Sequence, residues 1–418
     1  MNAARHRVTN WILHPNEPTD KQPDTLILPD WYTAGMQPVP DIPHAVQVTP
    51  LPQILHDNGY FTIHCGKAHF GGVGTPGADP ATLGFDINIA GHAAGAPGSY
   101  HGLDDFGYSE KKPQRNEWAV PGLEKYWGKD IHLTEVLTIE AINALDTARA
   151  SGKPFFLYMA HYAVHTPIQP DKRFYQKYKD KGYDDIEAKY ASMIEGMDKS
   201  LGDLMDYLDK NDLTKSTVIL FTSDNGGLSC HARGGKANTH NAPLNSGKGS
   251  AYEGGIREPM IAFWPGVTQP KTACDDYLII EDFFPTILDI AGIHDYTTLQ
   301  HVDGVSFVPL LKHTGESPAR NRDLFWHYPN LWGCEGPGIG TTSTIRSGDW
   351  KLIYWYKDRH IELYNIKDDI GETNNLAGQH PEKVNELSAK LGVYLRHVDA
   401  QRPSDKATGA PIPWPDER

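Results

Sequence analysis

The sequence predicts an α/β fold: a largely parallel sheet flanked by helices, followed by a small antiparallel subdomain at the C-terminus. Three observations carry this. Short runs such as PFFLYMA (154–160) and TVILFT (217–222) are continuously apolar, as strands buried on both faces are. They alternate with longer stretches whose apolar residues recur at three and four. After about residue 316 the alternation stops, and four short strand-like runs follow one another. The expected division is therefore 1–316 for the α/β domain and 317–418 for a small sheet with one helix.

Taken in order, the first 45 residues are rich in Pro, Asn, Asp and Thr without a sustained period, and read as a long surface excursion. TPLPQILHDNG then reads as a short helix, with proline in its first turn and Gly59 at the C-terminal cap position. GYFTIHCGK follows as a strand. Residues 130–151 place Val136, Ile139, Ala141, Ile142 and Leu145 along a helix that Gly152 stops. A second helix covers 184–210, with Ile186, Tyr190, Ile194, Met197, Leu201, Leu204 and Leu208 on one stripe. TVILFT, a glycine-rich loop, PMIAFWPG and a helix around 279–291 complete the domain. DLFWHYP, STIRSG, WKLIYWY and HIELYNI are the late strands, and a helix starts near Pro381.

Composition narrows the partners. Lys and Arg number 39 against 53 Asp and Glu, a net charge of −14, which argues against a sequence-independent grip on nucleic acid. No apolar run approaches a membrane span, and MNAARHRVTNWILHPNEPTD lacks the apolar core of a secretory signal. Cys65, Cys230, Cys274 and Cys334 are scattered without a C-x-x-C, so they read as buried small apolar groups rather than a zinc site.

Polar residues gather where predicted strands end. GYFTIHC runs into Lys67 and His69, PFFLYMA into the loop ending at His165, and TVILFTS into Asp224 and Asn225. NSGKGSAYEGGIREP (245–259) adds Lys248 and Arg257 just before the next strand. In parallel α/β sheets, sites form at the carboxyl ends of strands. A carboxylate beside a carboxamide is half of a site for a hard cation. Two lysines and two histidines beside it suit a tetrahedral oxyanion whose leaving oxygen takes a proton from a histidine. Each residue also has a plainer reading: an Asx turn for Asp224–Asn225, a packed loop histidine for His165, solvated charges for Lys67 and Lys248, and an ion pair with Glu253 or Glu258 for Arg257.

In register, these segments resemble the sulfatase family. GYFTIHCGKAHFG is similar to the signature G-Y-x-T-x-x-x-G-K-x-H-x-G. HYAVHTP, SDNGG, GKGSAYEGGIREP, IRSGDWKLI and ELYNI follow in the family's order, over about residues 49–380. The resemblance implies an alkaline-phosphatase-like fold, a calcium ion and hydrolysis of sulfate esters, on sulfated carbohydrate as in arylsulfatases and N-acetylgalactosamine sulfatases. It makes Asp224 and Asn225 calcium ligands, and has Lys67 and Lys248 hold sulfate oxygens. His69 would assist the nucleophile, His165 would contact sulfate and protonate the leaving alcohol, and Arg257 would stand behind them. His327, among Trp326, Tyr328 and Trp332, is a further candidate for sugar contact, against plain packing of the small sheet.

Two features of the family pattern are missing: the aspartate pair on a first strand, and C-x-P-S-R, whose cysteine becomes formylglycine, the nucleophile. None of the four cysteines has the required neighbours. Because a segment much like MNAARHRVTNW follows that motif in the family, the chain reads as starting just after it, and as inactive as written. Intact relatives are expected to be periplasmic or secreted. Two other readings stay open: a phosphomonoester or phosphonate hydrolase of the same superfamily, and a non-catalytic sulfate-binding remnant or mis-called gene start.

Overall fold

A helix and a strand joined by one turn set the frame of the main sheet. Leu51–Asp57 (α1) starts on a proline in its first turn, and Gly59, at φ +87°, turns the chain into Phe61–Gly66 (β1). The computed structural model describes residues 3–8, 13–15, 25–228, 241–313, 317–331 and 336–418. β1 is central to three parallel strands, with Ile87–Ile89 (β2) on one side and Phe155–Ala160 (β3) on the other.

The helix before β3, Leu133–Ser151 (α2), begins where the His132 side chain accepts the Thr134 N–H, and ends at the left-handed Gly152. Asp185–Lys210 (α4) starts on Asp184, which accepts the Glu187 N–H. Between them stands a helix that the sequence reading did not include, Lys172–Asp180 (α3), capped by Asp171. Val136, Leu137 and Ala141 of α2 and Met193 of α4 bury against Cys65 and Tyr162, so both helices cover one face of the sheet.

Ile219–Thr222 (β4) pairs with Met260–Phe263 (β5), and this pair is antiparallel, unlike the others in the domain. In the described part of their connection there is only a one-turn helix, Glu253–Ile256. A parallel return needs a full crossover, and a loop brings the chain straight back instead. Among the described residues the outer edges of β3 and β4 have no strand partner, although Leu157 of β3 and Ile219 of β4 share one apolar cluster. The helix expected at 279–291 is Phe283–Ile290 (α5).

The late strands form one antiparallel sheet: Leu324–Tyr328 (β6), Thr342–Ser347 (β7), Trp350–Trp355 (β8) and Ile361–Asn365 (β9), in spatial order β9-β8-β7-β6. Leu387, Leu391 and Leu395 of Pro381–His397 (α6) pack on Ile345, Leu352 and Leu363 of this sheet. The same core takes in Ala4, Leu26 and Leu28, and Leu26–Ile27 pairs with Ser404–Asp405. The described N-terminal residues are therefore not wholly a surface excursion: Ala4, Leu26 and Leu28 are pegs into the C-terminal core. Cys65 is buried as expected, whereas Cys274 is exposed in a polar loop with its thiol on Asp276. Cys230 and Cys334 lie outside the described residues. No described helix is long and apolar enough to cross a membrane.

Candidate active site

The end of β1 is shaped by a glycine. Gly66 has φ +110°, and a β-carbon there would lie 1.9 Å from the Ala160 carbonyl oxygen. This close approach lets the Lys67 N–H bond Ala160 O at 2.7 Å, so β1 and β3 end together. The Lys67 ammonium reaches across to the end of β4, 3.7 Å from Asp224 Oδ2. His69, in a left-handed conformation, lies two residues on, its N–H on His92 O at 3.2 Å and its ring against Gly95.

The loop after β3 is anchored by the buried Tyr100, whose hydroxyl donates to Tyr162 O at 2.6 Å and lies 3.0 Å from His165 O. His165 Nδ1 is 2.9 Å from Thr166 O, which assigns the Nδ1–H tautomer and leaves Nε2 an acceptor. Burial first, and then the field of Lys248, push the His165 pKa down to about 4. Lys67 acts in the same direction, against the Thr166 hydrogen bond and Asp224. His165 thus feels Lys67, Asp224 and Lys248, residues scattered in sequence, and of these Lys67 pairs directly with Asp224.

A second close approach fixes the loops after β4 and before β5. A β-carbon on Gly226 would stand 1.8 Å from Gly254 O. Gly226 N–H bonds Gly255 O at 3.3 Å, and Lys248 N–H bonds Gly227 O at 3.1 Å. Asn225 Nδ2 donates to Gly226 O at 2.9 Å, and the Asp224 side chain is 70% exposed, open to a ligand from solvent.

Arg257 pairs with Glu253 at 3.3 Å, which is the ion-pair reading of the sequence. Its other neighbour is used differently. Burial and then the Asp224 charge push the Glu258 carboxyl up to about 7, and its Oε1 is buried without a hydrogen-bond partner. Sequence reasoning treated Glu258 only as a partner for Arg257; no signal in the run GGIREP shows that it turns toward Asp224. His327 is corrected more sharply. It is buried in the C-terminal sheet, with Nδ1 2.6 Å from Ser343 Oγ and Nε2 2.7 Å from Gln401 O, so it offers nothing to a sugar. The neighbouring candidate Trp332 lies outside the described residues.

For a hard cation the residues fit in part. Asp224, Asn225 and the orphaned carboxyl oxygen of Glu258 offer oxygen donors, but among the described residues no group of three His, Cys, Asp or Glu converges as a metal site. Calcium takes six or more oxygens. An apolar cavity of about 260 Å3, lined by residues including Met36, Phe85, Phe156 and Phe284, contains none of the clustered charges and is separate from this site.

Charged side chains clustered beyond the strands of an α/β sheet are the setting, and comparison with known proteins gives the family. The sulfatase family model matches residues 30–293, and the model for N-sulphoglucosamine sulphohydrolase, C-terminal, matches 247–401. A sulfatase of Formosa agariphila is 31% identical over 303 residues, covering 68% of this chain and 52% of its own length. The N-acetylgalactosamine-6-sulfatase of Mus musculus is 27% identical over 337 residues, 78% of this chain and 58% of the mouse protein. The crystal structure of Ps i-CgsB in complex with k-i-k-neocarrahexaose has a TM-score of 0.67 at 27% identity, covering 84% of this chain and 74% of that one. The chain belongs to the sulfatase family. It spans 52% of the Formosa agariphila protein and 58% of the mouse one, about half of the curated relatives' length.

Proposed function

We propose that the chain forms the oxyanion-holding face of a sulfate-ester hydrolase acting on sulfated glycans. The supporting observation is the meeting of Lys67, His165, Asp224 and Lys248 at the carboxyl ends of β1, β3 and β4. The substrate class is supported by relatives: one is an N-acetylgalactosamine-6-sulfatase, and one solved neighbour holds a neocarrahexaose.

Lys67 and Lys248 hold sulfate oxygens as charge-assisted donors. With its pKa near 4, His165 is neutral at pH 7. An anion seated between the lysines offsets their part of the lowering, the smaller part after burial, and so raises the ring's proton affinity toward the acid form that would serve a leaving alcohol. His69 stands beside Lys67 to assist the nucleophile's proton transfers, and Arg257 holds Glu253 behind the loop. Asp224 and Asn225, with Glu258, form part of a calcium site; calcium, when bound, neutralises charge on the ester oxygens. No residue of the 418 stands in a C-x-P-S-R frame, so formylglycine has no precursor here and no step runs through it.

Calorimetric titration with inorganic sulfate at low ionic strength tests the site. Lys67→Ala and Lys248→Ala should each weaken binding about 10- to 100-fold, since a hydrogen bond to a charged group contributes about 1.5–3 kcal/mol. Affinities unchanged in both variants would sink the assignment. Sulfate esters against phosphate esters as competitors separate this reading from the phosphohydrolase one.

Calcium should act weakly. With few protein oxygens to offset dehydration of the ion, millimolar calcium should raise the melting temperature by no more than about 2 °C relative to chelator. A large rise abolished by Asp224→Ala would show that this chain completes the site, and Glu258→Ala would then tell whether Glu258 is the missing ligand.

A further inference from the structure

Beneath the loop that carries Lys248 lies a buried ion network that the chemistry above does not use. Lys351, in β8, is fully buried. Its ammonium lies 3.0 Å from Glu253 Oε1 and 2.8 Å from Glu372 Oε1. Glu253 and Glu372 are themselves about 95% buried or more, at 5% and 3% exposure. Glu372 Oε2 accepts the Glu253 backbone N–H at 2.5 Å. Arg346 of β7, its guanidinium 4.2 Å from the centre of the Tyr277 ring, approaches Glu253 at 3.7 Å. Burying an ammonium is costly unless carboxylates surround it, and leaving either partner alone is costlier than having neither.

Glu253 is the first residue of the helix Glu253–Ile256, which has the two ligand-bearing loops on its other side. Gly254 N–H bonds Asn245 O at 2.9 Å, at the start of the Lys248 loop, and Gly255 O accepts Gly226 N–H at 3.3 Å, next to Asp224 and Asn225. The Gly226–Gly254 approach leaves no room for a side chain, so a shift of the helix moves both loops. Ala251 N–H further ties the Lys248 loop to Gly338 O, on the approach to β7.

We propose that Lys351 is a positioning residue for the oxyanion pocket: from the C-terminal sheet it holds Glu253, and through the one-turn helix it sets the places of Lys248 and of the Asp224–Gly227 loop together. This rests on the oxyanion reading of that pocket. The C-terminal sheet is on this account part of the site's geometry and not an appended stabiliser.

The test uses the full chain with Lys351→Met and Lys351→Arg, at 20 °C and pH 7. Two readouts are taken: calorimetric affinity for inorganic sulfate, and amide hydrogen exchange resolved by peptide. Lys351→Met should lose at least 10-fold in sulfate affinity, comparable with Lys248→Ala, and should exchange at least 10-fold faster in 224–228 and 245–257. Exchange in 133–151 and 185–210 should stay as in the parent chain. Lys351→Arg, which keeps the charge, should recover most of the affinity. A lower melting temperature with sulfate affinity within twofold and no local change in exchange would show a merely structural staple and overturn the proposal. If Lys351→Met does not fold, Glu372→Gln, which leaves Lys351 on Glu253, should still weaken sulfate about threefold and loosen 245–257; no change would overturn it equally. Should the parent chain bind no sulfate, the oxyanion reading fails by itself, and the exchange pattern alone decides whether Lys351 positions the loops.

Discussion

Purified 1–418 should release no phenol from a chromogenic aryl sulfate above the buffer blank, even at millimolar ester and high enzyme concentration. On the reading proposed above, Lys67, His165 and Lys248 are there to hold the oxyanion, while no C-x-P-S-R frame among the 418 residues tested supplies a covalent nucleophile. In hydrolases that depend on one, its loss typically removes many orders of magnitude of rate while a small residual acceleration remains. The lowered His165 pKa points the same way, because a neutral imidazole with its lone pair on Nε2 has no proton there to give a leaving group. Steady-state assay over pH 5–9, with and without calcium, is the measurement. Robust turnover that Lys67→Ala abolishes would mean that some other side chain attacks sulfur, and Ser223, directly before Asp224, would be the first to replace.

Much of this molecule is written in its periodicities. The two long helices announced themselves by apolar spacing and, for the first, by the stop at Gly152, and the late sheet by four short runs in a row. Lys67, His165 and Asp224 stood out in the sequence for a different reason: each closely follows a predicted strand, and parallel strands end on one side, whereas Lys248 stood out in a glycine-rich run just before the next strand. What stayed hidden depends on packing between distant segments. Nothing local marks Leu26 and Leu28 as pegs in the C-terminal core, or Lys351 as a buried cation whose partners lie 98 positions upstream and in the loop after β9. Glu258 sits in a run that reads as a charged pair with Arg257, and only the turn into β5 aims it at Asp224. His327 looked like a surface ligand because aromatic neighbours suit both sugar stacking and a sheet core, and burial alone separates the two.

Acid should unfold the chain well before its carboxylates titrate. Burial, the leading cause in each case, pushes the pKa of His64, His92, His132, His161, His165 and His327 down to about 4. In the unfolded chain the same rings titrate near 6.5. A group whose folded pKa lies below its unfolded value favours the fold above the unfolded pKa, and that contribution drains away as pH falls through the interval. The window is thus about pH 6.5 to 4. Glu258 and Glu372, whose carboxyls are raised, act the other way and are outnumbered, two against six. Near pH 5.5 unfolding should therefore take up several protons on balance, and the melting temperature should fall by about 10 °C between pH 7 and pH 5. Scanning calorimetry across that range measures both, since the slope of stability with pH counts the protons directly. His161 gives a single-site check. Its Nδ1 is buried without a partner, so His161→Leu removes a proton acceptor and breaks no hydrogen bond at that atom. It should flatten the pH dependence by about one proton and raise the melting temperature at pH 5.5 relative to the parent chain. A melting temperature that stays level from pH 7 to pH 5 would mean that these rings are hydrated in the folded state, and the dense packing around β1 and β3 would have to be redrawn.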